Sequence, residues 1–148
     1  MAEKIYGLLG RKLSHSWSVP IHTALGCQGY RLIELEPDEL EGFLRQPNIC
    51  GLNVTIPYKR DVMPFCDVID PMAQAIGSVN TLTRRANGKL YAFNTDAAGF
   101  RWMAERAGIS FTGKKAVVLG SGGASLTAQA CARAMGSITS QKGITSRL

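Results

Sequence analysis

Short apolar runs alternate with amphipathic segments along most of the chain, and the breaks between them predict the order of elements. Lys4 to Gly10 is an apolar strand, and the polar loop LSHSWSVP turns into a helix over about Val19 to Cys27. Tyr30 to Leu35 reads as the next strand. Pro37 to Arg45 reads as a helix, with the proline near its first turn and acidic side chains close to its positive end. Gly51 to Ile56 is a third strand, and Asp61 to Ile69 has helical spacing, with Pro64 near its start or kinking it. Val79 to Arg84 and Lys89 to Phe93 flank Ala86-Asn87-Gly88, where Asn-Gly supplies positive φ at little cost, so they predict a hairpin with Asn80 and Asp96 at its mouth. Ala97 to Ala107 predicts a helix with Phe100, Met103 and Ala107 on one face, stopped by Gly108.

This alternation predicts an α/β fold, a mixed and mostly parallel sheet covered by helices, over residues 1–112. A second unit, residues 113–136, begins near Thr112. Lys114 and Lys115 lead into the apolar strand Ala116 to Leu119, the loop Gly120-Ser121-Gly122-Gly123, and a helix from about Ala124 to Met135. That is the first βα unit of an incomplete Rossmann-type domain. Glycines at a strand end let the backbone approach a pyrophosphate, and the N–H groups and dipole of the helix start favour its charge. Small residues also serve simple strand-to-helix packing, but the setting between an apolar strand and an alanine-rich helix favours the nucleotide.

Residues 137–148, SITSQKGITSRL, have only Ile138, Ile144 and Leu148 as strongly apolar positions and repeat the triplet ITS. They predict an atypical tail rather than a second buried strand, as in a truncated or frame-disrupted reading frame or a fragment, with catalysis by the isolated chain not expected. One strand and one helix cannot form a core alone, so the segment after Gly113 is expected to dock on the first unit or fray.

With 148 residues, 45% of them apolar, the chain can bury a real core. No run approaches the ~18 apolar residues of a membrane span. The start, MAEKIYGLLG, is too short in apolar residues and too acidic for a signal peptide, so a cytoplasmic location is expected. Cys27, Cys50, Cys66 and Cys131 form no CxxC pair and lie at no ligand spacing from histidine, which predicts reduced, mostly buried thiols and no metal. Pro20 separates His15 from His22 and argues against a zinc pair. The formal charge of +6 is spread without a stripe or an aromatic platform, so carboxylate or phosphate ligands fit better than nucleic acid.

The candidate chemistry lies in NVTIPYK, which sets Lys59 just past a β-branched strand and behind a rigid proline, among the amide and hydroxyl groups of Asn53 and Thr55. Two further polar clusters follow, SVNTL at Ser78 to Leu82 and FNTDAAGF at Phe93 to Phe100. Taken singly, each has a plain reading: a solvated lysine, Asp96 as a helix cap, Ser16 and Ser18 as loop or cap serines, Asn80 as a turn residue.

Together, GRKLSHSWSVPIH, NVTIPYK, GSVNTL, NTDAAGF and GSGGAS resemble, in order and spacing from Tyr6 to about Gly136, the shikimate dehydrogenase family. The resemblance implies an oxidoreductase of aromatic amino-acid biosynthesis, with NADP as cofactor, that interconverts 3-dehydroshikimate and shikimate. It implies that Ser16 and Ser18 bind the substrate carboxylate, that Asn53 and Thr55 contact the ligand, and that Lys59 and Asp96 form the catalytic pair. Asn80 and Asp96 would bind ring hydroxyls, and Gly120, Ser121, Gly122, Gly123, Ala124 and Ser125 would hold the cofactor pyrophosphate. The partner is then a small molecule, with no nucleic acid, membrane or metal, in a monomer or homodimer. Trp17 between the serines and Ser18-Val19 in place of a serine-proline junction depart from the family pattern, as does the missing remainder of the NADP domain. Two alternatives are a non-catalytic shikimate-binding module and a quinate/shikimate dehydrogenase paralogue.

Overall fold

A computed structural model describes residues 3–139. In chain order the elements are β1 (Ile5–Gly10), α1 (Ser18–Ala24), β2 (Tyr30–Glu34), a 3-10 turn (Pro37–Glu39) running into α2 (Leu40–Leu44), β3 (Ile49–Val54), a second 3-10 turn (Met63–Phe65) and β4 (Val68–Ile69). There follow α3 (Pro71–Ile76), β5 (Thr81–Arg84), β6 (Leu90–Phe93), α4 (Asp96–Arg106), β7 (Lys115–Ala116), α5 (Gly123–Ala134) and β8 (Ile138–Thr139).

Six strands form one sheet in the order β2-β1-β3-β5-β6-β4. The β1–β2, β1–β3 and β4–β6 pairs are parallel, and β3–β5 and β5–β6 are antiparallel, so the fold is α/β with a mixed, mostly parallel sheet. Leu9, Ile49, Val62, Leu82 and Leu90 are almost wholly removed from water and form the centre of the core. The hairpin follows its sequence signal: Gly88 takes φ +77° and the Asn87 side chain accepts from the Lys89 amide at 3.1 Å.

Gly10 decides how the chain enters the site. A Cβ there would lie 2.6 Å from Leu13 Cδ2 and 3.0 Å from Thr55 Cγ2, so only glycine lets the segment after β3 pass this close to the end of β1.

Several expectations are corrected. Asp61 to Ile69 is not one helix. After the 3-10 turn the chain extends to pair β4 with β6, and the Asp67 carboxylate accepts from the Leu90 amide at 2.7 Å, so edge pairing overrides local helical spacing. Helix α3 went unread, although Asp70 accepts from the Met72 and Ala73 amides at 3.0 and 3.3 Å, Pro71 opens it, and Gly77 closes it at φ +72°.

On α4 the buried residues are Ala97 and Ala104, with Met103 exposed, because small side chains let α5 approach. Helix α5 docks on the first unit through Ile76, Ala97 and Cys131. Of the strand expected over Ala116 to Leu119 only Ala116 falls in β7, and Val117 and Leu119 are exposed. Conversely, Ile138 and Thr139, expected to make a poor strand, pair in parallel with β7. The rest of the expected tail, residues 140–148, lies outside the described residues.

The four cysteines are free thiols, but only Cys131 is fully buried and the other three are half-buried. Among the described residues no helix is long and apolar enough to cross a membrane.

Candidate active site

Lys59 is held by its neighbours before it meets a charge. The Tyr58 amide donates to the Thr55 carbonyl at 2.9 Å, and the wholly buried Tyr58 ring sends its hydroxyl to the Leu35 carbonyl. The Val79 amide donates to the Lys59 carbonyl at 2.8 Å, tying this turn to the segment before β5. From that fixed backbone the ammonium reaches Asp96, with Nζ 2.5 Å from Oδ2. The lysine side chain is 16% exposed and the aspartate 36%, so the pair is partly desolvated yet open on one side.

Asn80 orients the carboxylate. Its Nδ2 donates to Asp96 Oδ1 at 2.8 Å and to Thr95 Oγ1 at 2.9 Å, while its Oδ1 accepts from the Thr95 amide at 2.8 Å and the Thr81 hydroxyl at 3.0 Å. The helix-cap reading of Asp96 is replaced: Asn94 Oδ1 accepts from the Ala97 amide at 3.2 Å, which leaves the Asp96 carboxylate for Lys59.

Across the sheet Asn53 pairs in register with Thr81, so β3 carries the polar path onward. Asn53 Oδ1 accepts from the Tyr30 hydroxyl at 2.8 Å, and His22 of α1 stacks on Tyr30 at 3.8 Å between ring centroids. Ser16 Oγ accepts from the Ser18 amide at 3.1 Å, which leaves its own O–H free to donate. Lys59, Asp96 and Asn80 therefore lie on one hydrogen-bonded path, while Asn53 stands opposite Thr81 on the neighbouring strand and holds Tyr30, which the Ser18 hydroxyl meets, and Thr55 sits at the turn after β3.

Sequence reasoning passed over Tyr30 and His22; a buried tyrosine at a strand start, whose hydroxyl needs a partner, was the available signal. Burial pushes the Tyr30 phenol from its ordinary 10.0 up to about 12, with Cys27 adding to the rise and the Ser18 hydroxyl working against it. An unfolded tyrosine ionises first, so this contribution to stability is complete below pH 10 and is lost as pH rises toward about 12. Urea midpoints at pH 9 and pH 11.5 should show the wild type losing its margin over Tyr30→Phe; an unchanged margin would mean the phenol is not desolvated.

The glycine turn lies against this cluster. Gly120 takes φ +134°, and the Ser125 hydroxyl closes the turn onto the Gly120 carbonyl at 2.7 Å. Helix α5 has Gly122 at its N-cap with no side-chain hydrogen bond capping it, and nothing lies within 4 Å of where a Gly122 Cβ would be. A Cβ on Gly123 would come within 2.4 Å of Ser78 Oγ and 2.9 Å of Lys59 Cβ. Such a cradle fits a pyrophosphate. A cavity of about 410 Å³ bounded by α3, α4 and α5 includes none of these polar groups, and Met72, Trp102 and Cys131 among its walls give it a mostly apolar character.

The fold is an α/β domain with a polar, charged cluster at its strand ends and one further βα unit docked against it. Residues 8–82 match the family described as the shikimate dehydrogenase substrate binding domain, and the chain belongs to that family. It is 42% identical over 149 residues to the shikimate dehydrogenase (NADP(+)) of Halothermothrix orenii, a match covering 95% of this chain and 49% of that protein. The crystal structure of shikimate dehydrogenase from Aquifex aeolicus superposes with a TM-score of 0.83 at 32% identity, over 93% of this chain and 54% of that one. Shikimate 5-dehydrogenase from Thermus thermophilus, solved in complex with shikimate, gives a TM-score of 0.79 at 33% identity, over 90% of this chain and 54% of that one. The chain spans about half the length of the relatives it matches.

Proposed function

We propose that this chain binds shikimate and 3-dehydroshikimate and carries the catalytic pair for their NADP-dependent interconversion. The observation that supports this most is the hydrogen-bonded Lys59–Asp96–Asn80 cluster at the strand ends, directly against the glycine turn. The name of the Halothermothrix orenii relative and the shikimate bound in the Thermus thermophilus structure support the choice of ligands.

Reduction of a ring ketone builds negative charge on its oxygen. The Lys59 ammonium stabilises that charge and delivers the proton, and in the reverse direction neutral Lys59 takes it back. Asp96 aims the ammonium and, with Asn80, accepts or donates to ring hydroxyls, so a ring lacking a hydroxyl leaves these groups unpaired. Ser16 and Ser18 hold the carboxylate at the α1 end, and Asn53 and Thr55 line the floor between. When bound, the nicotinamide cofactor supplies or accepts the hydride, with Gly120, Ser121, Gly122, Gly123, Ala124 and Ser125 around its pyrophosphate.

Calorimetric titration of the 148-residue chain with shikimate tests the reading. Saturable heat is expected, stronger than with quinate; equal or tighter quinate binding would favour the quinate paralogue, and no heat with either acid would remove the substrate assignment. Ser16→Ala should weaken shikimate binding by about 1 to 3 kcal/mol, the weight of a hydrogen bond to a charged group. Unchanged affinity in that titration would take Ser16 out of the carboxylate site.

A further inference from the structure

Asn94 and Thr127 stand out because no motif reading gave either a role, yet both are nearly sealed from water, 8% and 2% exposed. Every polar atom of the Asn94 side chain is engaged. Its Nδ2 donates to the Ser78 carbonyl at 2.8 Å and to Thr127 Oγ1 at 2.9 Å, and its Oδ1 holds the Ala97 amide. Thr127 passes its own proton back one turn to the Gly123 carbonyl at 3.1 Å.

The ring closes by packing. Gly123 lies directly against Ser78 Oγ, a buried hydroxyl with no hydrogen-bond partner among the described residues, and against the Lys59 stem. Three tethers meet here: Val79, next to Ser78, fixes the Lys59 backbone; Ala97, next to Asp96, is fixed by Asn94; and Gly123 ends the glycine turn and opens α5. Moving any member changes the spacing between the turn and the ammonium–carboxylate pair.

We propose that Asn94 and Thr127 are positioning residues that set the separation of the glycine turn from the Lys59–Asp96 pair. The role touches neither ligand. Its catalytic meaning rests on the proposed function, because hydride transfer requires the reacting atoms to be held at about 3 to 3.5 Å, and a displacement of about 1 Å costs orders of magnitude in rate. The spacing itself is a property of the chain and is measurable without ligand.

Lys59 reports on it, since Gly123 covers its stem. The intact chain is treated with trinitrobenzenesulfonate, and the rate at Lys59 is read by peptide mass spectrometry against exposed Lys89. Thr127→Val, which keeps shape but removes the hydroxyl, should raise the relative Lys59 rate about fivefold or more, the weight of one neutral hydrogen bond. Thr127→Ser should restore the wild-type rate. Gly123→Ala should raise it by a different route, through the contacts its Cβ would make, and it decides alone if circular dichroism shows Thr127→Val unfolded.

Wild-type rates in both Thr127→Val and Gly123→Ala overturn the proposal, even if melting temperatures fall, because a merely structural role would lower stability without uncovering Lys59. Shikimate titration of the wild type is run beside it. Uncovering of Lys59 in a chain that binds no shikimate would leave the positioning ring in place and remove the functional reading.

Discussion

Lys59→Ala is expected to reduce shikimate-dependent NADP⁺ reduction by about a hundred- to ten-thousand-fold, the range for loss of a placed acid–base group. The assay uses residues 1–139 continued with the remaining sequence of a full-length relative, because the chain spans about half of that length. The fold should survive. Lys59 is held through its backbone, by the Val79 amide and by the buried Tyr58 beside it, and alanine leaves both contacts in place. The lost ion pair is partly exposed, so its own contribution to stability is about 1 kcal/mol or less. A fall in kcat with little change in shikimate affinity would mark an interaction that matters most in the transition state. Retained turnover would remove Lys59 from the proposed reaction.

The largest expected effect on stability comes from Leu82→Ala. Leu82 is at 0% exposure on β5, the strand between β3 and β6, facing Leu52 on one side and Ala92 on the other in register. Deleting such a side chain costs about 2 to 5 kcal/mol, transfer and cavity together, because close-packed neighbours collapse only partly. Domains of this kind have about 5 to 15 kcal/mol in total, so the variant should unfold at markedly lower urea. β5 also carries Thr81 and follows Asn80, so shikimate affinity should fall with it. A shift of under about 1 kcal/mol in urea titration would mean that the site had refilled by collapse.

Much of this was legible in the sequence wherever local chemistry decides. Asn87-Gly88 specifies its hairpin, Gly108 ends α4 at φ +65°, and the lysine after NVTIPY lands beside Asp96 as the motif implied. Two features stayed hidden because they depend on distant partners. The stretch from Asp61 to Ile69 has helical spacing, but Val68 and Ile69 gain more from pairing with Tyr91 and Ala92. On α4 Phe100 packs on the cluster as its spacing implied, but Met103 was misplaced: it outranks Ala104 in hydrophobicity, whereas a helix meeting another at close range favours alanine. Helix α3 is a different case: Asp70, Pro71 and Gly77 spell out its caps, and the signal was present but unread. Asn94 looks like any loop asparagine until its three partners, at positions 78, 97 and 127, converge in space.

Helix α1 contains no fully buried residue and meets the sheet through Val19, the Ser18 hydroxyl on Tyr30 and the His22–Tyr30 stack. Local opening of such an element costs far less free energy than unfolding the core behind it. The two serines assigned to the carboxylate sit on its first turn and the loop before it. Any acid gripped there spends part of its association free energy on settling the helix, which lowers its affinity and makes amide hydrogen exchange in α1, rather than in the sheet, the place where occupancy of the site is first recorded.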